Sequence, residues 1–300
     1  MSALGTRSAG APGLATTPPA PKSPGAWRSA RMRTLIAWEL RKLRAQKRTY
    51  LGLGLAILPP AVFVIFWNLH QGPHRAENVF AREITRTGLA IPVLMLLFES
   101  FLLLPIIAAL VAGDIFAAED GNGTLKTILT RSAGRGQIFS AKAIATLLYT
   151  VVAVYLASVV ATAAGVASWG FNRVETLSGT IVSAPRALLL IVAADACYLI
   201  PLLALAAIGL MLSVSTRNSA AAVLATVALP IVLLIIGQIP GLEATHPYLL
   251  TEQFQAWQGL MRTPTDWGPV AHSAWVCALY GLPALAVAYL AFLRRDVAGG

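Results

Sequence analysis

The sequence predicts an all-α membrane protein with six transmembrane helices and both termini in the cytoplasm. Three observations lead to this prediction: 57% of the residues are hydrophobic, only 12% are charged, and mean hydropathy is +0.69. Soluble domains contain about 25% charged residues, and a helix needs about 20 consecutive apolar residues to cross the hydrocarbon layer. Six such spans leave little of the 300 residues for a folded soluble domain, which argues against a built-in catalytic domain.

The chain before the first apolar block divides into two parts. Residues 1–25 are mostly Ala, Pro, Gly, Ser and Thr, a composition that buries too little surface to offset the entropy of ordering, so a disordered cytoplasmic tail is predicted. Residues 26–49 predict an amphipathic helix along the cytoplasmic face of the membrane. Its apolar residues recur at helical spacing among Lys and Arg: Met32, Leu35, Ile36, Leu40 and Leu43. The alternative is a basic flank that only fixes orientation.

Residues 50–300 predict a six-helix transmembrane domain. Helices are favoured because every backbone polar group in lipid must be paired within the protein, and the alternation of a β-barrel is absent. The predicted spans are 50–69, 88–112, 141–169, 187–214, 220–239 and 271–293. Most of the 23 Lys and Arg residues then lie on the cytoplasmic side, as the positive-inside rule requires.

The loop between the second and third predicted spans, residues 113–142, is rich in charge and glycine. Gly121 and Gly123 suit a turn, and Thr124 can cap a short amphipathic helix that begins at the next residue. A short amphipathic helix on the cytoplasmic side can dock into a groove on a partner protein. The alternative is an ordinary basic loop.

Two carboxylates are predicted at membrane depth, Glu99 in the second span and Asp195 in the fourth. A charged group near the bilayer centre costs about 2.5–3.5 kcal/mol on insertion scales, so such a group usually faces the protein interior or water. One interpretation places both residues on a substrate path, where they contact a cationic or polar group. The other is a structural hydrogen bond between helices.

The longest connection on the predicted outer side comprises residues 241–270. It predicts a short re-entrant or interfacial helix before the last span, which gates substrate exit or anchors the chain in the outer leaflet. As an anchor it would place Trp257 and Trp267 in the aromatic belt. An apolar stripe at helical spacing carries this prediction: Leu250, Phe254, Trp257 and Met261.

The loop 113–142 resembles that of the ABC type-2 export permeases, a family of bacterial multidrug, bacitracin and copper-maturation-like permeases. The resemblance rests on an acidic residue, a Gly-Thr-Leu-Lys run, an apolar pair and basic residues before the next span: Glu119, Gly123, Thr124, Leu125, Lys126, Ile128, Leu129, Arg131, Arg135 and Lys142. The sequence departs from the family pattern at 132–134, where many members place a Pro before the second Arg. More weakly, the resemblance extends to the amphipathic helix, the six spans and the outer helix.

The resemblance implies the permease subunit of an ATP-driven ABC exporter in the bacterial cytoplasmic membrane, with a second permease copy and a separate ATPase subunit as partners. In that family this loop contacts the ATPase and passes its motion to the membrane helices. The expected ATPase-coupling residues are therefore Glu119, Gly123, Thr124, Leu125, Lys126, Arg131 and Arg135. The alternative function is an ion-coupled secondary transporter in which Glu99 and Asp195 carry protons.

Enzymatic activity, a cofactor, a metal site and nucleic-acid binding are not expected. The loop superficially resembles a Walker A motif, but Leu125 rather than Gly precedes Lys126. The four His residues form no HExxH pattern or compact Cys/His cluster, and no GxSxG elbow is present. The basic charge is concentrated before the first apolar block and accompanies no zinc pattern or aromatic-rich sheet, so the lipid bilayer is its expected partner.

Overall fold

The structure, a computed structural model, describes residues 24–69, 86–124 and 134–294, with the side chains of the first helix described from Met32 onward. The first half contains α1 Pro24–Ala45, α2 Lys47–Leu69, α3 Ala90–Glu99, α4 Leu103–Ala112, α5 Ala117–Gly121 and α6 Arg135–Trp169. The second half contains β1 Val174–Glu175, β2 Ile181–Val182, α7 Ala184–Thr216, α8 Ser219–Ile236, a 3-10 helix Glu243–Tyr248, α9 Leu250–Gln253, a 3-10 helix Ala256–Met261 and α10 Gly268–Leu293. The predicted tail, apart from residues 24 and 25, lies outside the described residues.

Within the described residues, five helices are long and apolar enough to cross a membrane: α2, α6, α7, α8 and α10. A sixth crossing exists if α3 and α4 together form one span, although the two helices are bent by 62°. The structure therefore confirms a helical membrane protein with five to six candidate spans.

The second predicted span, residues 88–112, is not one continuous helix. It is interrupted at residues 100–102, between α3 and α4. Pro105 lies in the first turn of α4. It has no backbone N–H to donate to the carbonyl of Phe101, and its ring clashes with that carbonyl in a regular helix. The break therefore lies one turn before Pro105.

Two helix starts differ from the predicted boundaries. The predicted amphipathic helix 26–49 corresponds to α1, which ends at Ala45, and α2 already begins at Lys47. Helix α6 begins at Arg135, inside the predicted loop 113–142. The side chain of Gln137 accepts a 3.3 Å hydrogen bond from the N–H of Gly134, which satisfies a donor that a helix start leaves open.

Helix α7 lies at the centre of the bundle and packs against α4, α6, α8 and α10. Small side chains permit this close approach. A Cβ at Gly281 of α10 would lie 3.2 Å from Cα of Ala204 in α7, and a Cβ at Gly209 would lie 2.8 Å from Cβ of Ala112 in α4. Membrane helices commonly associate through small residues, because lipid supplies little hydrophobic drive between them.

A short antiparallel hairpin, absent from the sequence prediction, follows α6. Val174 pairs with Val182 and Glu175 pairs with Ile181 in strands β1 and β2. The hairpin attaches to the segment before the last helix, since the N–H of Leu177 donates a 3.1 Å hydrogen bond to the carbonyl of Met261. Its location depends on this contact between distant segments, which no local pattern indicates.

The segment 241–270 forms three short helices rather than one. The predicted apolar stripe is almost completely buried: Leu250 0%, Phe254 1%, Trp257 2% and Met261 7% exposed. The stripe packs against α7 and α10, so it faces protein and not the outer leaflet. The aromatic-belt prediction is therefore wrong for Trp257, whereas Trp267 is 62% exposed. Helical spacing reveals an apolar face but not whether lipid or protein covers it.

Candidate functional site

Four charged side chains from three helices meet at one end of the bundle. We call Glu39, Lys42, Glu119 and Lys142 the charged cluster. Nζ of Lys142 in α6 lies 2.7 Å from Oε1 of Glu119 in α5 and 3.2 Å from Oε2 of Glu39 in α1. Lys42 of α1 also pairs with Glu119 and lies 3.9 Å from Glu39. The cluster thus joins α1, α5 and α6 with two positive and two negative charges.

Lys142 is the centre of the charged cluster and is completely buried. Its ammonium group also donates a 3.2 Å hydrogen bond to the carbonyl of Ile115, and it lies 5.6 Å from the centre of the Phe116 ring. A buried charge is tolerated only when it is paired and hydrogen-bonded. Lys142 therefore requires the carboxylates of Glu39 and Glu119 in this arrangement.

A second set of polar contacts secures the segment between α4 and α5. Arg48 of α2 pairs with Asp114, which also accepts a hydrogen bond from the hydroxyl of Ser219 in α8. The hydroxyl oxygen of Ser213 in α7 accepts hydrogen bonds of 3.1 and 3.0 Å from the N–H groups of residues 116–117. The segment 113–121 is therefore connected to five other helices, α1, α2, α6, α7 and α8.

Lys42 provides a pH-dependent test of the charged cluster. Burial, and next the charge of Lys142, lower the pKa of Lys42 from 10.5 to about 8. Between these values the unfolded chain binds more protons than the folded protein, so the free energy of unfolding rises with pH. We expect the difference in unfolding free energy between the wild type and Lys42→Met to increase over that interval. Chemical unfolding in detergent micelles at several pH values measures it, and a constant difference would contradict the lowered pKa.

Four of the seven predicted ATPase-coupling residues lie in the described part of the chain, and they occupy three different places. Glu119 is 8% exposed and belongs to the charged cluster. Gly123, with φ of 68°, forms the predicted turn, and the hydroxyl of Thr124 donates a 3.1 Å hydrogen bond to the carbonyl of Glu119. Arg135 opens α6 and donates a 2.7 Å hydrogen bond to the carbonyl of Leu293 at the end of α10. The remaining three lie outside the described residues: Leu125, Lys126 and Arg131.

Sequence reasoning did not identify most partners of Glu119. The sequence places Lys142 among the basic residues of the loop 113–142, and Glu39 and Lys42 within the basic segment 26–49, but neither pattern indicates which of these charges pair. One signal was available: Glu39 is the single acidic residue in the basic segment 26–49. A single acidic residue in such a segment suggests a specific basic partner.

The two predicted membrane carboxylates share one small cavity. Glu99, at the end of α3, is 4% exposed, and Asp195 of α7 is 2% exposed. The cavity has room for about one water molecule. Its lining comes from α3, α4, α6 and α7: Pro92, Met95, Leu96, Glu99, Leu104, Val154, Ala157, Ser158 and Asp195. A role for this pair on a substrate path stays a prediction.

Comparison with known proteins gives one family. The family model described as ABC-2 family transporter protein matches residues 35–235, more than half of the chain. No curated protein shows a significant match. The matched range begins within α1 and ends within α8, and it therefore contains both the charged cluster and the carboxylate cavity.

Proposed function

The chain belongs to the ABC-2 family of transporter proteins, and from that membership we propose that it is the permease subunit of an ATP-driven exporter. Membership makes the chain the membrane component of an ABC transporter. Our proposal adds three features: a separate ATPase subunit, a second permease copy and outward transport. The observation that carries it is the attachment of the segment 113–121 to five helices through the charged cluster, the Asp114 contacts and the hydrogen bonds to Ser213.

This attachment suits a segment that transmits force from a partner to the membrane. Coupling between distant sites travels through packed side chains and networks of polar contacts that move together. A partner that displaces the turn at Gly123 also displaces Glu119, because Thr124 is hydrogen-bonded to the carbonyl of Glu119. Displacement of Glu119 acts directly on Lys142 of α6 and on Lys42 of α1.

We assign different roles to the predicted coupling residues. Gly123, Thr124, Leu125, Lys126 and Arg131 belong to the surface that contacts the ATPase. Glu119 transmits the displacement to α1 and α6, because its carboxylate is buried against two lysines. Arg135 transmits it to α10 through its hydrogen bond to the carbonyl of Leu293.

The proposed topology has six spans, with the broken pair of α3 and α4 as the second. The end of the bundle that carries the charged cluster then faces the cytoplasm, together with both termini. The distribution of Lys and Arg supports this orientation, because cytoplasmic segments carry the excess of basic residues. The membrane is proposed to be the cytoplasmic membrane of a bacterium.

An ion-coupled secondary transporter is the second candidate. One observation favours it: Glu99 and Asp195 lie in one cavity within the bundle, where they could carry protons. The match to the ABC-2 family favours the exporter.

One experiment distinguishes the two functions. The tagged chain is purified from its native host in mild detergent, and co-purifying subunits are identified by mass spectrometry. Transport into inverted membrane vesicles is then compared between the wild-type complex and a complex whose ATPase cannot hydrolyse ATP. The exporter requires both association and loss of transport in the inactive complex. Transport driven by a proton gradient without ATP would favour the secondary transporter.

Two single variants separate contact with the ATPase from transmission. We expect Lys126→Glu to reduce co-purification of the ATPase, because it reverses a charge in the proposed contact surface. We expect Glu119→Gln to retain co-purification but reduce transport, because it weakens the charged cluster and leaves the contact surface unchanged. Lys47→Glu, on an exposed position of α2, is the matched control for the charge reversal. Normal association and normal transport in both variants would contradict the assigned roles.

A further inference from the structure

We propose that Glu99 and Asp195 form a proton-binding site at the break between α3 and α4. The proposal is independent of the ATPase partner and of the direction of transport. Both side chains are more than nine-tenths buried and line the same cavity. Oε1 of Glu99 and Oδ2 of Asp195 are buried and have no hydrogen-bond partner among the described residues. Within the described part of the chain, the residues that line this cavity thus leave two buried acceptor oxygens without a hydrogen-bond partner.

The charges around these oxygens come mainly from the two carboxyl groups. Glu99 is the last residue of α3, and the partial negative charge of that helix end is opposed at the same break by the partial positive charge of the α4 N-terminus. The break itself is held by side chains, since Ser100 hydrogen-bonds to the carbonyl of Leu96 and the hydroxyl of Tyr198 donates a 3.1 Å bond to the carbonyl of Ser100. No Lys, Arg or His is among the described residues that line the cavity. The site therefore favours a bound positive charge.

The chemistry of the walls favours protons over a metal ion. Apart from the two carboxyl groups, Ser158 contributes the only polar side chain among the described lining residues, and its hydroxyl donates to Asp195. A hard cation such as Ca²⁺ takes 6–8 oxygen ligands, more than this lining offers. The described residues also contain no group of three or more His, Cys, Asp or Glu arranged to hold a metal. A space for about one water molecule excludes an organic cation.

Proton binding at this site needs no further reactant. Each carboxylate group takes one proton from a hydronium ion on one of its two oxygens, which yields a neutral carboxylic acid and a water molecule, and release returns the proton to water as hydronium. Two carboxylates in one site titrate as a pair, because ionisation of one opposes ionisation of the other. A proton on Glu99 or Asp195 also converts an unpaired acceptor into a hydrogen-bond donor.

The other titratable groups around the site cannot supply a positive charge that would balance the two carboxylates. Tyr155 of α6 is near Asp195, Tyr198 of α7 is near Glu99, and Cys197 is the remaining titratable neighbour on α7. None of these side chains carries a positive charge in any protonation state. Helix α4 contributes only Leu104 to the lining. The protonation of the site is therefore governed by its two carboxyl groups.

Infrared spectroscopy of the purified full chain in lipid vesicles, titrated over pH, tests the proposal without an ATPase. We expect an absorption band of protonated carboxyl groups that persists at neutral pH, shifts in heavy water and disappears on titration to alkaline pH. Glu99→Gln and Asp195→Asn should each weaken the band, and the double variant should lose it. Glu252→Gln, which changes a carboxylate on an exposed position of α9, should leave it unchanged.

Two results would overturn the proposal. One is a wild-type spectrum without protonated carboxyl groups at neutral pH, which requires no variant to fold. The other is occupation by an alkali metal ion, detected as a rise in melting temperature with Na⁺ or K⁺ but not with choline, and lost in the double variant. Failure of ATPase association would leave both measurements unaffected, so the two proposals can fail separately.

Discussion

Replacement of Lys142 with Met is expected to lower the free energy of unfolding by about 3–5 kcal/mol, the range observed when one partner of a buried ion pair is removed. The expected loss follows from geometry. Lys142 is completely buried and pairs with Glu39 and Glu119. Met fills a similar volume but leaves both carboxylates with fewer compensating charges. Reversible unfolding in mixed detergent micelles, monitored by circular dichroism, measures the change.

Two further variants make this test specific. Lys47→Met removes an exposed lysine of α2 and is expected to change the free energy of unfolding by at most about 0.5 kcal/mol, as for most surface substitutions. Combining Lys142→Met with Glu39→Gln is expected to recover part of the loss, because one charge of each sign is removed and Lys42 and Glu119 remain as a pair. A Lys142→Met protein as stable as the Lys47→Met control would contradict the role assigned to the charged cluster.

Substitution of Gly165 with Ala is expected to lower the free energy of unfolding by about 1–3 kcal/mol, the range for overpacking a close contact. A Cβ at Gly165 of α6 would lie 2.3 Å from the carbonyl oxygen of Gly88 and 2.9 Å from Cγ1 of Ile91. A backbone atom cannot move away as the end of a flexible side chain can. The substitution therefore forces α6 away from the start of α3.

The matched control is Gly54→Ala in α2, where an added Cβ has no neighbour within 4 Å. There the substitution is expected to leave stability unchanged or to raise it by up to about 1 kcal/mol, because Ala is the better helix former. Thermal unfolding of both variants in the same detergent gives the comparison. Equal effects of the two substitutions would mean that the close contact between Gly88 and Gly165 does not limit packing.

Predictions that depend on local sequence agree with the structure. The long apolar blocks appear as candidate spans, because hydropathy over about 20 residues decides whether a helix can cross lipid. The turn at Gly123 is present because its positive φ suits a residue without a Cβ. The resemblance of the loop 113–142 also indicated the family, which the match over residues 35–235 supports.

Predictions that depend on neighbouring helices were less accurate. The apolar stripe through Trp257 covers α7 and α10 and not lipid. The burial of Glu119 against Lys42 and Lys142 cannot be inferred from the loop alone, and its role as an ATPase-coupling residue stays a prediction.

The order of residues along the chain indicates which segments are apolar enough to enter a membrane, where the charged segments between them lie, and to which family the chain is similar. Which charges pair and which apolar faces meet protein depends on how the helices pack. The hydrogen bond between Lys142 and Glu39 joins residues 103 positions apart, and Lys42 and Glu119 are separated by 77 positions. Hydropathy is a property of neighbouring residues, whereas an ion pair in a bundle depends on how distant helices pack. Glu99 and Asp195 likewise share a cavity only because α3 packs against α7.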